Sequence, residues 1–292
     1  KQQDADYFLT SILLTPLTSN QNKSETVQTN FYSKQKKSFI FHNRQYEIGG
    51  DISITANAKF LGKDYTVFLN ADAMGKSIQG AGGALVLGVV FNSILTRQVE
   101  RVTVGESPRK WLKKVFVELQ RVFESFGGSM YISCIIGLVE NESGQVVFFN
   151  ADHPRMVLLR QGKARFLESK IYLNKLGMPD NEDLYKTQSF YLSPGDVLFL
   201  GSDGKDDLCL REENGRRVIN DDENLFLQSV ERGKGDTEAI VADCLQQGTL
   251  TDDMTLVRIE FQGSIQHNWK TNCLQQTNGQ KSPLVLNNKA VA

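Results

Sequence analysis

Histidine and cysteine are scarce in this chain of 292 residues, with three of the first and four of the second. Cys134, Cys209, Cys244 and Cys273 stand far apart, without a short paired spacing. That argues against a zinc module and against a disulfide framework. With so little imidazole and thiolate, any metal site has to be built mainly from oxygen ligands. Net charge is lacking too: 33 Lys and Arg against 34 Asp and Glu leave −1. No global basic field therefore points to nucleic acid or an anionic membrane. The local group Lys34, Lys36 and Lys37 reads as a solvated loop. The longest uncharged stretch, Ser77 to Thr96, contains Gln79, Asn92 and four glycines. It has the length to span a bilayer but no sustained Leu/Ile/Phe run, so it reads as a helix within a protein core. The chain opens at Lys1 without a methionine, as a piece of a longer protein would.

What is present is a long alternation of short apolar runs and turn residues. "DYFLTSILLTPL" (6–17) reads as a strand by its β-branched and apolar content, with a short helix as the alternative. Residues 18–30 are polar and turn-like. Strands are expected over Tyr46–Thr55 and Tyr65–Ala71, joined through Gly62. Two helices follow, over 77–99 and 107–127. The second is capped by Ser107 with Pro108 at its first position, and Trp111, Val115, Leu119, Val122 and Phe126 recur at helical spacing. Further strands are expected over 131–140, 145–151, 155–160, 164–168, 185–193, 196–204 and 254–261, with two or three helices in 205–246. Turns such as "NESG" (141–144) and "SPG" (193–195) mark antiparallel meanders. The order predicts an α+β fold of antiparallel sheets covered by helices. Residues 1–45 lead into or pack on a main domain over 46–261, and 262–292 form a loosely held extension.

One stretch invites a nucleotide reading. "VFLNADAMGKSIQGAGG" (67–83) runs from an apolar strand into Gly75-Lys76-Ser77 and a small-residue helix. A P-loop needs a glycine where Asn70 stands, and Asp72 inside the loop would repel a polyphosphate. The dinucleotide fingerprint fails as well, because Leu85 occupies the place of its last glycine.

The acidic residues form a more coherent pattern. Asp51 follows Gly49-Gly50, Asp72 ends the strand "TVFLNA", Asp203 follows "DVLFLGS", and Asp252-Asp253 precede "MTLVRIEF". A single aspartate at such a place is a turn former or helix cap. Several at the ends of apolar strands fit a carboxylate cluster, which needs cations to offset its repulsion. Oxygen ligands favour Mg²⁺ or Mn²⁺. A pair of such ions suits attack of an activated water on a phosphate ester.

With these residues placed, the sequence resembles the metal-dependent type 2C (PPM) serine/threonine phosphatases, and within them the SpoIIE/RsbU branch. "GGDISI", "NADAMGKSIQGAGGAL", "FFNADHPRMVLLR", "LSPGDVLFLGSDGKDDL" and "TDDMTLVRI" are similar to the family's motifs and occur in the family's order. The resemblance implies an α-β-β-α sandwich with two Mn²⁺ or Mg²⁺ ions at one edge of its sheets. It implies Asp51 and Asp72 as metal ligands, Asp72 bridging, with the Ala73 carbonyl and Asp203 as further ligands. Asp252 would be the counterpart of the last ligand, with Asp253 as the alternative. Where the branch often has histidine, this chain has Lys76, which either holds the substrate phosphate or is a solvated residue at a helix start. The family's Asn-Ala-Gly-His reads "NADH", and His153 is expected to be structural.

The implied substrate is a phosphorylated anti-anti-sigma (STAS-domain) protein in bacterial partner switching. The implied setting is the cytoplasmic output of an upstream sensor domain, commonly through a dimeric linker, with a homodimer in keeping and no nucleic acid. A non-catalytic binding module on the same fold is the rival reading.

Overall fold

The computed structural model describes residues 2–100, 106–167, 173–179, 185–213 and 215–263. Helix α1 (Gln2–Leu14) is followed by β1 (Ser19–Asn20), β2 (Val27–Lys34), β3 (Lys37–Phe41) and β4 (Arg44–Ile48). Strands β5 (Asp51–Phe60) and β6 (Lys63–Ala73) then lead into helices α2 (Ile78–Glu100) and α3 (Pro108–Glu124). The meander comprises β7 (Ile132–Glu140), β8 (Gln145–Ala151), β9 (Val157–Arg160), β10 (Lys163–Phe166), β11 (Gln188–Tyr191) and β12 (Asp196–Gly201). After a single 3₁₀ turn at Asp203–Lys205 come β13 (Leu208–Glu213), β14 (Arg216–Ile219), α4 (Leu225–Arg232), α5 (Thr237–Gln247), β15 (Thr249–Leu250) and β16 (Met254–Phe261).

Two sheets dominate, in the orders β1-β5-β6-β7-β8-β11 and β10-β9-β12-β16-β2. Every pairing in them is antiparallel except the short parallel contact of β1 with β5. Strand β6 alternates its faces as a period of two demands. Val67, Leu69 and Ala71 point into a layer with α1, α2 and α3, while Phe68 points the other way. Phe68 joins Ile135, Phe148, Leu198, Val257 and Ile259 between the two sheets. The outer face of the second sheet buries Phe199 and Leu256 against Phe226, Val230 and Ile240 of α4 and α5. Three apolar layers thus separate four structural ones, the α-β-β-α sandwich expected. Each fully buried large side chain contributes about 1.5–3 kcal/mol to holding the layers.

Helix α3 is capped as the sequence indicated, the Lys110 N–H donating to Ser107 Oγ. Its buried stripe is Trp111, Leu112, Val115, Phe116, Leu119 and Phe123, while Phe126 lies beyond the helix and is exposed. Helix α2 is, among the described residues, long and apolar enough over Ile78–Gln98 to cross a membrane by length and composition. Here Ala81, Ala84, Leu87 and Phe91 are buried in the layer on the first sheet.

Three expectations are corrected. Residues 6–17 begin in a helix, not a strand: Tyr7, Ser11 and Leu14 are buried at helical spacing, and Leu9 and Leu13 are exposed. A strand would have put Tyr7, Leu9, Ser11 and Leu13 on one face. Tertiary packing decides the choice, with Phe8 stacked on Phe41 at 4.5 Å over the β3–β4 hairpin. Residues 18–30 are not all loop, since β2 pairs along its whole length with β16 inside the second sheet. The span 205–246 holds two helices and also the β13–β14 hairpin, between whose strands the sequence carries Asn-Gly at 214–215. That dipeptide is a strong hairpin signal on its own. The extension beyond residue 263 lies outside the described residues.

Candidate metal centre and catalytic cleft

Strand register places the first two aspartates. In the β5–β6 pairing Asp51 lies directly opposite Asp72, at the end of the sheet where β5 begins and β6 finishes. Like charges facing each other across a strand pair destabilise a sheet, so this arrangement calls for a compensating charge. On the second sheet β12 ends and the antiparallel β16 begins at the same edge, with the Ser202 N–H donating to the Thr255 carbonyl at 3.2 Å. Asp203 and the pair Asp252-Asp253 therefore emerge side by side. The sandwich brings the two edges together: the Thr255 hydroxyl donates to Asp51 Oδ2 at 3.0 Å, and Asn70 Nδ2 donates to Thr255 Oγ1 at 3.0 Å.

Burial and mutual repulsion shape the titration of the group. Asp51 is 2% exposed, and burial, with the charge of Asp72 next, pushes its carboxyl well above the usual range. Its Oδ1 is buried with no donor in bonding geometry. Asp72 is pushed up to about 7 by burial and then by Asp203, Asp252 and Asp253. Asp203 is raised by burial, then by Asp207 and Asp252. The carboxylates thus sense one another across the site. Among the described residues no group of three or more carboxylate, imidazole or thiol side chains is placed so as to hold a metal ion.

The two neighbouring aspartates of "TDDMT" do different things. Asp253 accepts from two backbone donors, the Lys36 N–H at 2.6 Å and the Gly50 N–H at 2.8 Å. Both its oxygens are engaged in tying the Gly49-Gly50 turn to the start of β16. Asp252 accepts at Oδ1 from the Asp253 N–H at 2.9 Å, and its charge bears on Asp72, Asp203 and Asp207. Glycine is required at the close approaches. A Cβ on Gly50 would sit 2.6 Å from the Ala73 carbonyl oxygen, and one on Gly204 would sit 1.9 Å from the Asp253 carbonyl oxygen.

Behind the carboxylates runs a buried polar chain that the sequence reading did not foresee. Asn70 Oδ1 lies 2.8 Å from His153 Nε2, and His153 Nδ1 lies 2.9 Å from Ser133 Oγ. Because Asn70 Nδ2 donates to Ser53 and Thr255, its oxygen is the acceptor, and His153 carries its proton on Nε2. Burial, together with the charges of Lys205 and Lys175, lowers the imidazole to about 3. His153 is therefore a neutral structural link through Asn70 and Thr255 to Asp51, in keeping with the role expected of it. The signal was available in "TVFLNADA", where an asparagine interrupts an apolar strand and so has to find partners in the core.

Above this lies a cleft of about 640 Å³ lined by Asp72, Asp203, Asp207, Arg155, Lys175 and Lys205, among others. Asp51 lies beneath it rather than on its wall. Lys76 is exposed on the turn before α2 and does not line the cleft. Strand β6, which precedes that turn, has antiparallel neighbours on both sides, so the Gly-Lys-Ser sequence lies outside any βαβ unit and the P-loop reading fails. Lys205, unremarked in the sequence, is 2% exposed, pairs with Asp206 and faces the Phe226 ring at 5.5 Å.

Residues 62–262 match the family model described as Stage II sporulation protein E (SpoIIE). The fold is similar to that of the SiaA PP2C domain of Pseudomonas aeruginosa, with TM-score 0.61 and 14% identity over 89% of this chain and 96% of that one. It is also similar to the RsbU and RsbW domains of a Mycobacterium tuberculosis protein, with TM-score 0.58 and 16% identity over 86% of this chain and 67% of that one. A third likeness is to the PP2C phosphatase domain of SpoIIE from Bacillus subtilis, with its regulatory fragment, at TM-score 0.57 and 15% identity over 82% and 64% of the two chains. No curated protein sequence matches the chain.

Proposed function

The chain belongs to the SpoIIE family, and from that premise we propose that it is a metal-dependent phosphatase of phosphoserine and phosphothreonine in proteins. The observation that carries this reading is the facing pair Asp51 and Asp72, with Asp203 and Asp252 brought to the same edge by the second sheet. The donor set suits hard divalent cations, because it is made of carboxylates and one backbone carbonyl. The orphaned Oδ1 of buried Asp51 and the raised carboxyls of Asp51, Asp72 and Asp203 are the marks of groups awaiting a positive partner.

In this account Asp51, Asp72, the Ala73 carbonyl, Asp203 and Asp252 hold Mn²⁺ or Mg²⁺. Asp253 fixes the Gly49-Gly50 turn instead of competing for the ions. Divalent cations bound there supply Lewis-acid chemistry and lower the pKa of water. The residues of the chain do the rest. Asn70 and Thr255 hold Asp51 in one rotamer through a neutral relay that cannot take up a proton near pH 7. Gly50 and Gly204 let the backbone approach the Ala73 and Asp253 carbonyl oxygens, where any side chain would collide.

The substrate we propose is a phosphorylated anti-anti-sigma protein of the STAS type, with an upstream sensor domain governing activity in the cytoplasm. The RsbU and SpoIIE likenesses support a regulatory setting of this kind. The rival, a binding module without activity, drew on Lys76 in place of histidine. Lys76 lies outside the cleft, so the observation that favoured the rival has lost its weight.

The test is hydrolysis of p-nitrophenyl phosphate and of a phosphoserine STAS domain in the presence of Mn²⁺. Turnover that a chelator abolishes and added Mn²⁺ restores is the expected result. A protein that binds Mn²⁺ yet leaves both substrates and several other phosphoproteins intact is a binding module.

A further inference from the structure

Among the described residues three cations line the cleft, and their positions differ in what they can reach. Arg155 stacks on the Phe166 ring at 4.1 Å and pairs with Glu223, which engages it at the rim. Lys205 is buried against Asp206 and Phe226 and forms part of the wall. Lys175 is half-buried, and its charge acts on both Asp72 and Asp203 as well as on His153.

The backbone around Lys175 is fixed. The segment Leu173–Leu176 runs as a strap beside the first sheet. Leu176 exchanges both backbone hydrogen bonds with Ile132, at 2.8 and 3.2 Å, and Leu173 bridges to Ala151. Leu173 and Leu176 are buried on either side of the lysine. Below them Gln120, fully buried in α3, accepts from the Gly177 N–H at 3.0 Å and donates to the Met178 carbonyl at 2.5 Å. Ile132 is the register partner of Ala73, and Ser133 that of Asp72. The strap therefore carries Lys175 level with the carboxylate pair, across β7 from it.

We propose that Lys175 is the substrate-binding cation of the cleft, its ammonium receiving the non-bridging oxygens of the phosphoryl group presented to Asp72 and Asp203. The proposal rests on the phosphatase reading and moves to Lys175 the phosphate-holding role that the sequence had offered to Lys76. An ammonium on a flexible stem, held at a half-exposed position by a rigid strap, suits a phosphate that enters from solvent and leaves as product. Four ligand carboxylates and two divalent cations would balance, but Asp152, Asp206, Asp207, Asp221, Asp222 and Glu223 also line the cleft, so a cation beside the metal edge offsets their repulsion of a phosphate dianion.

The experiment compares wild type with Lys175→Ala, Lys175→Gln and Lys175→Arg. It measures KM and kcat for p-nitrophenyl phosphate, inhibition by inorganic phosphate, phosphate binding by ³¹P line broadening, and Mn²⁺ affinity by calorimetry. Losing a charge-assisted contact predicts about a tenfold rise in KM and in the phosphate inhibition constant for Lys175→Ala and Lys175→Gln. Lys175→Arg recovers most of it. Mn²⁺ binds the neutral variants at least as tightly as wild type, because a neighbouring positive charge has gone. Unchanged phosphate affinity in folded Lys175→Ala or Lys175→Gln overturns the proposal. So does a parallel loss of Mn²⁺ and phosphate affinity, which marks the strap as structural only. If wild type turns nothing over yet binds phosphate in a Lys175-dependent way, the phosphatase reading falls and the lysine's role stands. A wild type that neither turns over nor binds phosphate overturns both.

Discussion

Asp72→Asn is expected to lower metal-dependent phosphatase turnover by roughly 10²–10³-fold while raising the melting temperature of the protein in chelator. The two effects have one cause. Asp72 is driven up to about 7 by burial and by Asp203, Asp252 and Asp253, so its ionised form strains the fold whenever no cation offsets it. Asparagine removes that strain and with it the anionic ligand. Asp203→Asn should behave likewise, since its carboxyl is raised for the same reasons. Asp253→Asn should not. Its two oxygens accept the Lys36 and Gly50 N–H groups, and an amide nitrogen in place of one oxygen meets a donor with a donor. That variant is expected to lose about 1–3 kcal/mol of stability by urea denaturation. If Asp72→Asn kept full activity, or if Asp253→Asn proved the more stable protein, the division of roles between the aspartates would be wrong.

The second large effect is on stability against pH. A group whose pKa is higher in the fold than in the unfolded chain stabilises most below its unfolded value, and that contribution is lost as pH rises through its folded value. Asp72 therefore weakens the fold as pH climbs through about 7, and Asp51 and Asp203 act in the same direction. His153 has the opposite sign. Held neutral and lowered to about 3, it costs stability as pH falls through the unfolded value near 6.5. In chelator the melting temperature should thus be higher at pH 6.5 than at pH 8, by roughly 5 °C for a domain of this size. Saturating Mn²⁺ should raise both values and flatten the difference, because it binds the ionised form and pulls the carboxyls down. A difference that persists unchanged with Mn²⁺ would place the titrating groups elsewhere.

Much of this was legible in the sequence because strand ends and aspartates coincide. Apolar runs that finish in Asp72 and Asp203, or begin after Asp51 and Asp252, need only an antiparallel register to converge. The helix α3 cap at Ser107 and Pro108 is a local signal and emerged as written. What remained hidden depended on distant partners. Residues 6–17 have strand-like composition, and packing on α2 and on the β3–β4 hairpin, where Phe8 meets Phe41, makes their first part helical. Lys76 drew notice through its Gly-Lys-Ser context and the histidine it replaces, whereas Lys175 is brought level with Asp72 by the contact of Leu176 with Ile132. Nothing in "LNKLGMPD" by itself says which strand the segment will lie beside. The clamp made by Asp253 likewise needs Lys36 and Gly50, more than two hundred residues away in the chain.

The most direct test of the account is anomalous scattering from crystals grown with Mn²⁺. The account predicts two manganese peaks roughly 3.5–4 Å apart, bounded by Asp51, Asp72, the Ala73 carbonyl, Asp203 and Asp252, with Asp253 still bonded to the Gly50 N–H. Crystals of Mn²⁺-saturated protein with no peak between Asp72 and Asp203 would contradict it.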